Sequence, residues 1–106
     1  MNPIAAIERK IVRRLCREAI KDGFLPTVTF DGEEYVPTTT ETAVLETVFS
    51  VDESTVSFRK NGKTHGVLLI LGNDGWDVIN DYHSDSGPFD AMMERVNTYA
   101  ETLDEA

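Results

Sequence analysis

The chain has 106 residues, 41% of them hydrophobic, and a formal net charge of −9 at pH 7. This length fits one domain, and this hydrophobic content excludes a disordered chain. The longest apolar run, residues 67–71, is far too short to span a bilayer, and charges interrupt the apolar positions near the N-terminus. Cys16 is the single cysteine, so an internal disulfide is excluded. We therefore expect one domain, residues 1–106, in the cytoplasm and without membrane contact.

Charge is distributed unevenly along the chain. Residues 1–21 contain six basic and two acidic residues, a net charge of +4, whereas residues 22–106 contain 17 acidic and four basic residues, a net charge of −13. No lysine or arginine occurs between Lys21 and Arg59. The sequence therefore predicts a basic helix attached to an acidic body.

The first predicted element is an amphipathic helix that begins at Pro3, with Asn2 as its N-cap. Basic residues occupy the side opposite its apolar residues, and Gly23 is the expected left-handed residue that ends it. Cys16 lies at the margin of the apolar stripe, where a lone thiol is typically a small buried hydrophobe. The stripe consists of Ile4, Ile7, Ile11, Leu15 and Ala19.

A hairpin and a second helix follow. Residues 27–30 and 33–36 alternate around an Asp-Gly pair at 31–32, which predicts a β-hairpin. Thr38, followed three residues later by a glutamate, has the form of a capping box. It predicts a helix that ends at Phe49.

The second half predicts a three-stranded meander. Its strands are residues 55–60, 65–71 and 76–82, with turns at 61–62 and 72–75. The middle strand contains the continuous apolar run. Such a run is expected for a central strand covered on both faces, or for one at a dimer contact.

Apolar residues at helical spacing predict a final helix over residues 89–103. The predicted fold is therefore α+β, with three helices and a five-stranded, mainly antiparallel sheet in the order α-β-β-α-β-β-β-α. The predicted core contains Ile7, Ile11, Leu15, Phe30, Val48, Phe58, Leu69, Trp76, Val78 and Val96.

Strand alternation would place Asp77, Asp81, His83 and Asp85 on one face of the last strand. Carboxylates and an imidazole can hold a divalent metal, so a metal-dependent enzyme using Asp77, Asp81 and His83 is one functional alternative. The spacing matches no recognised ligand motif, and a solvated acidic strand face is the simpler interpretation. We therefore assign no metal, no cofactor and no catalytic residue.

The basic face of the first helix carries Arg9, Arg13, Arg14 and Arg17. Like charges four residues apart each destabilise an isolated helix by about 0.2–0.5 kcal/mol. An acidic partner would relieve this repulsion, and it could be the acidic body, a second copy, nucleic acid or another protein. A solvated helix face is the simplest alternative. Phosphate contacts by these arginines would make the protein a nucleic-acid binder, although the net charge of the body disfavours this.

The acidic body favours a different function, namely binding to a basic protein surface by charge complementarity. A non-enzymatic inhibitor or adaptor fits this charge distribution best, and a homodimer is a further expectation. The predicted contact surface combines the hairpin with the last strand. Its residues are Asp31, Glu33, Glu34, Asp77, Asp81 and Asp85.

Three segments, residues 30–35 (FDGEEY), 51–58 (VDESTVSF) and 66–82 (GVLLILGNDGWDVINDY), resemble small acidic proteins of phage and prophage genomes. That group carries no assigned activity, so the resemblance implies no catalytic residue. It implies an accessory protein of a phage or mobile element that acts in a bacterial cell on host or phage proteins, as counter-defence proteins do.

Overall fold

The computed structural model of the protein describes residues 3–83 and 87–104. It contains three helices and a five-stranded sheet in the order α-β-β-α-β-β-β-α, so the predicted α+β fold is confirmed. The helices are α1 (Pro3–Lys21), α2 (Glu41–Val48) and α3 (Gly87–Asp104). The strands are β1 (Leu25–Phe30), β2 (Tyr35–Pro37), β3 (Glu53–Lys60), β4 (Lys63–Ile70) and β5 (Ile79–Tyr82). Within these ranges, no helix has the length and apolar content needed to cross a membrane.

The strand order across the sheet is β2-β1-β3-β4-β5, and every neighbouring pair is antiparallel. The helices of the described chain pack on one face of this sheet, where alternate residues of β3 and β4 are buried. Val56, Phe58, Val67 and Leu69 are fully buried on that face. The residues between them form the opposite face, which we call the open face of the sheet.

The core agrees with the sequence prediction at seven of its ten positions and differs at three. Ile7 and Phe30 are only partly buried, and Trp76 is 36% exposed. Trp76 lies in the loop before β5, because that strand begins only at Ile79. Phe30 lies on the open face, where its ring contacts that of Tyr35 at 4.9 Å between centroids. The confirmed core residues are Ile11, Leu15, Val48, Phe58, Leu69, Val78 and Val96.

The start of α2 differs from the prediction by two residues. Its N-cap is Thr40, whose hydroxyl accepts a hydrogen bond from the Ala43 amide at 3.1 Å, and not Thr38. Thr38 is fully buried, and its hydroxyl is 2.8 Å from that of Thr29 on β1. A hydroxyl with a buried partner in the sheet is unavailable as a cap, so α2 begins later.

Two predicted turns are confirmed. Gly23, with φ +87°, follows α1, and Asn61 and Gly62 both adopt positive φ between β3 and β4. The first hairpin also forms, but its turn is longer than the predicted pair at residues 31–32. The loop covers residues 31–34, because Phe30 pairs with Tyr35 and β2 begins there. The predicted N-cap Asn2 lies outside the described residues.

Cys16 is fully buried within the core, as predicted. Burial raises the pKa of its thiol to about 12, and the carboxylate of Glu41 adds to the rise. The thiol therefore stays protonated at neutral pH, so this side chain acts as a small hydrophobe.

Candidate functional site

The antiparallel sheet places three acidic segments at the same end of its strands. The loop 31–34 follows β1, Asp52 precedes β3, and the loop 71–78 connects β4 to β5. The Leu71 amide donates a hydrogen bond to the Asp52 carbonyl at 2.9 Å, which joins two of these segments. None of the three segments contains a lysine or an arginine. We call this surface the acidic end, and its carboxylates are Asp31, Glu33, Glu34, Asp52, Asp74 and Asp77.

Basic residues collect at the opposite end of the strands. Lys60 and Lys63 are paired across the β3–β4 turn, next to Arg59. The Lys60 ammonium donates to the Asp22 carbonyl at 2.8 Å, just beyond the C-terminus of α1. The acidic body inferred from the sequence is therefore polarised along the strand direction.

The tip of the first hairpin is held by Asp31. Its Oδ1 accepts hydrogen bonds from the amides of Glu33 and Glu34, at 2.9 Å and 2.8 Å, and Gly32 supplies a positive φ of +100°. These bonds lower the pKa of Asp31, with that from Glu34 first, so its carboxylate is ionised at neutral pH. Glu33 and Glu34 are exposed and project from a fixed loop.

The second acidic loop is anchored to α1 by Glu8, whose exposed fraction is 3%. Its Oε2 accepts a hydrogen bond from the Gly72 amide at 2.8 Å. Burial raises the pKa of Glu8; the Gly72 hydrogen bond opposes that rise, and the charge of Asp77 adds to it. Within the loop, Asp77 Oδ1 accepts from the Asp74 amide at 3.2 Å.

Sequence reasoning missed Glu8 as an anchor, although the chain contained an indication. Glu8 lies four residues after Ile4 and three before Ile11, in line with the apolar stripe of α1. An acidic residue in that line must either be buried with a partner or interrupt the packing.

We expect Glu8→Gln to stabilise the protein at pH 7, because glutamine keeps an acceptor for the Gly72 amide without a buried charge. The raised folded-state pKa means that the protonated carboxyl favours folding below the unfolded pKa, and that this contribution is lost as pH rises through the folded pKa. The expected rise in Tm is on the order of a few degrees at pH 7 and disappears near pH 4. Thermal unfolding across this pH range measures it.

Glu18→Gln is the matched control, for which we expect a change in stability of the opposite sign. The Arg95 hydrogen bond, at 2.8 Å, lowers the pKa of Glu18, so its contribution is present above the unfolded pKa and is lost as pH falls through the folded one. The free energy of unfolding of this variant should be lower than that of the wild type by up to about 1 kcal/mol at pH 7. Equal Tm changes of one sign in both variants would contradict the contrast between these two carboxylates.

The predicted acidic face of the last strand is not formed. Ile79 pairs with Leu69 and packs on the core, whereas Asp81 pairs with Leu68 on the open face. An irregular register at this point breaks the alternation, and Asp77 lies in the loop before β5, near Glu8.

The remaining predicted ligands do not complete a metal site. The His83 amide donates to the Gly66 carbonyl at 2.9 Å, and Asp85 lies outside the described residues. Among residues 3–83 and 87–104, no three His, Cys, Asp or Glu side chains are grouped to hold a metal ion. The hairpin carboxylates and Asp81 lie at opposite edges of the sheet, about 20 Å apart by strand spacing.

The basic face of α1 is partly neutralised by a carboxylate of α1 itself and by one of α2. Glu41, at the start of α2, lies 2.9 Å from Arg17 and 3.8 Å from Arg13. Arg14 lies 3.4 Å from Glu18 and 4.6 Å from the Tyr99 ring centroid.

A shallow groove of about 290 Å³ remains on this face, lined by Lys10, Arg13, Arg14, Arg17 and Tyr99. Arg9 lies outside it, with its guanidinium 4.9 Å from the Phe49 ring centroid. Two of the protein's own carboxylates, Glu41 and Glu18, thus relieve part of the like-charge repulsion along α1.

Comparisons with protein-family models, curated proteins and solved structures gave no match to this chain.

Proposed function

We propose that this protein is a non-enzymatic, protein-binding accessory factor of a phage or mobile element. It acts in the cytoplasm of a bacterial host as an inhibitor or adaptor, and its partner is a host or phage protein with a basic surface. The contact is made through the acidic end. Phage context rests on the resemblance of residues 30–35, 51–58 and 66–82, and the mode of binding rests on the structure of that surface.

One observation carries the proposal: three separate chain segments converge at one end of the sheet, and all of their charged residues are acidic. Asp31 and Glu8 fix two of the segments through hydrogen bonds to backbone amides. Because the backbones of these loops are already fixed, binding orders only the side chains, so more of the electrostatic attraction is available as affinity.

The polarity of the sheet supports an oriented encounter. A basic surface is attracted to the acidic end and repelled by the end that carries Arg59, Lys60 and Lys63. Such complementarity accelerates association and excludes partners of the wrong charge. A surface of this kind competes with phosphate groups for a basic groove, which is the chemistry expected of an inhibitor of nucleic-acid-binding machinery.

Affinity capture from a bacterial lysate tests the proposal. The tagged wild-type protein should retain a stoichiometric protein at low salt and release it at high salt, because ionic contacts are screened. The double variant Glu33→Lys and Glu34→Lys should lose that protein. Both side chains are exposed, so the fold should be unaffected.

The matched control is Glu46→Lys with Glu94→Lys, which makes the same change of net charge on the exposed surfaces of α2 and α3. It should retain the partner. Equal retention by both double variants would exclude the hairpin from the contact. Recovery of nucleic acid in place of protein would instead favour the basic groove of α1.

A further inference from the structure

The open face of the sheet carries apolar side chains that no helix of the described chain covers. Leu25 is 56% exposed and Tyr35 is 69% exposed, and Phe30, Leu68 and Ile70 are partly exposed beside them. We propose that a second copy of this chain packs on this face, giving a two-fold dimer in which the two sheets lie face to face. This dimer contact is distinct from the acidic end.

The cross-strand register arranges the open face in rows that run across the strands. One row is Phe30, Thr55, Leu68 and Asp81. The next row is Ser57, Gly66 and His83. These two central rows are flanked by two outer rows. The outer row beside Leu68 contains Glu53 and Ile70, and the outer row beside Gly66 contains Leu25, Arg59 and Thr64.

Consider a two-fold axis in the plane of the interface, perpendicular to the strands and midway between the row of Leu68 and the row of Gly66. This axis makes the open face complementary to itself. Leu68 then lies over Gly66 of the second copy, so that a large side chain meets a position without one. Gly66 lines a shallow, open cavity of about 270 Å³. A Cβ at position 66 would lie 3.3 Å from Thr55 Cγ2, so Leu68 of the second copy would enter this cavity beside that methyl group. The cavity is lined by Thr55, Gly66, Leu68, Asp81, Tyr82 and His83.

The same axis pairs opposite charges. Glu53 and Arg59 lie at the two ends of β3 on the open face, so Glu53 meets Arg59 of the second copy and Arg59 meets Glu53 of the second copy. The dimer therefore contains two such ion pairs. Asp81 likewise lies over His83 of the second copy. An axis that runs along β3, the central strand, would instead place Glu53 against Glu53 and Arg59 against Arg59, so charge favours the first arrangement over that one.

The size of the face fits a reversible dimer. The five strands contain 29 residues, which at about 4.8 Å spacing and about 3.3 Å rise give roughly 460 Å² per copy. The total, about 900 Å², is in the range of weak, transient interfaces, so the dimer is expected to dissociate readily. Aligned packing of two sheets is a common architecture, and it also accounts for the continuous apolar run in β4.

Sedimentation equilibrium with charge-swapped variants tests the proposal. Glu53→Arg should weaken the dimer at least about tenfold, because it opposes Arg59 of the second copy at two places. If only net charge mattered, this variant would dimerise more tightly, since its net charge is nearer zero. Arg59→Glu should weaken the dimer similarly. The double variant Glu53→Arg with Arg59→Glu should restore the wild-type dissociation constant to within about threefold.

Glu46→Arg, on the exposed surface of α2, makes the same charge change away from the open face and reports the effect of net charge alone. Circular dichroism confirms that each variant is folded. A wild-type chain that stays monomeric at millimolar concentration, or a double variant as weak as the single variants, would overturn the proposal. The readout is oligomeric state, so it is independent of partner capture at the acidic end.

Discussion

Phe89→Ala should lower the free energy of unfolding by about 3–5 kcal/mol, the largest loss we expect from a single substitution. Phe89 is fully buried in the first turn of α3. Its ring stacks on His65 of β4, with centroids 4.4 Å apart, and contacts the edge of Phe24 at 5.1 Å. The truncation leaves a cavity among these rings and weakens the attachment of α3 to the sheet. Chemical denaturation with urea measures the loss.

Phe49→Ala is the matched comparison, because Phe49 is only partly buried and lies beneath the guanidinium of Arg9. It should cost about 1–2 kcal/mol, as less area returns to water. If Phe89→Ala cost no more than Phe49→Ala, the aromatic cluster would contribute less than its burial implies.

Gly75→Ala should cost about 2–5 kcal/mol, from two sources that act together. Gly75 has φ +95°, where a residue with a Cβ is strained by about 1–2 kcal/mol. A Cβ there would lie 3.1 Å from Ile7 Cγ2 and 3.3 Å from the Ile4 carbonyl oxygen, so it would also crowd α1, at a further cost of about 1–3 kcal/mol. The substitution should also displace Asp74 and Asp77 in the acidic end.

Gly72→Ala separates the two sources. Gly72 lies in the same loop with φ +90°, but no atom lies within 4 Å of a Cβ built on it. This variant should lose only the backbone contribution, about 1–2 kcal/mol. Equal losses for Gly72→Ala and Gly75→Ala would show that the contact between the loop and α1 is not tight.

Local chemistry accounts for the parts of the fold that were predictable. Gly23 after α1 and the Asn61–Gly62 turn are short-range features, and both are where the sequence places them. The apolar periodicity of α1 likewise predicts its buried residues, including Ile11 and Leu15. Each depends on a few neighbouring residues only.

The errors arise where long-range packing overrides local pattern. Trp76 alternates with its neighbours as a strand residue would, yet β5 begins only at Ile79. Thr38 fits a capping box, but a buried partner on β1 takes its hydroxyl. Neither effect is visible without knowing which strands pair.

The candidate site was predictable only in part. The acidic hairpin was identified from the sequence, because Asp31, Glu33 and Glu34 are adjacent in the chain. The convergence of Asp52 and Asp77 on the same end depends on strand order. The separation of Asp77 from Asp81 depends on the irregular pairing of β4 with β5.

The most direct measurement of the central claim is the dissociation constant of the captured protein over a series of salt concentrations. We predict that the double variant Glu33→Lys with Glu34→Lys raises the dissociation constant at least about tenfold at low salt and makes it depend less on salt. The double variant Glu46→Lys with Glu94→Lys should change the dissociation constant less than about threefold. Equal weakening by both variants would contradict the acidic end as the binding surface, since net charge alone would then account for the affinity.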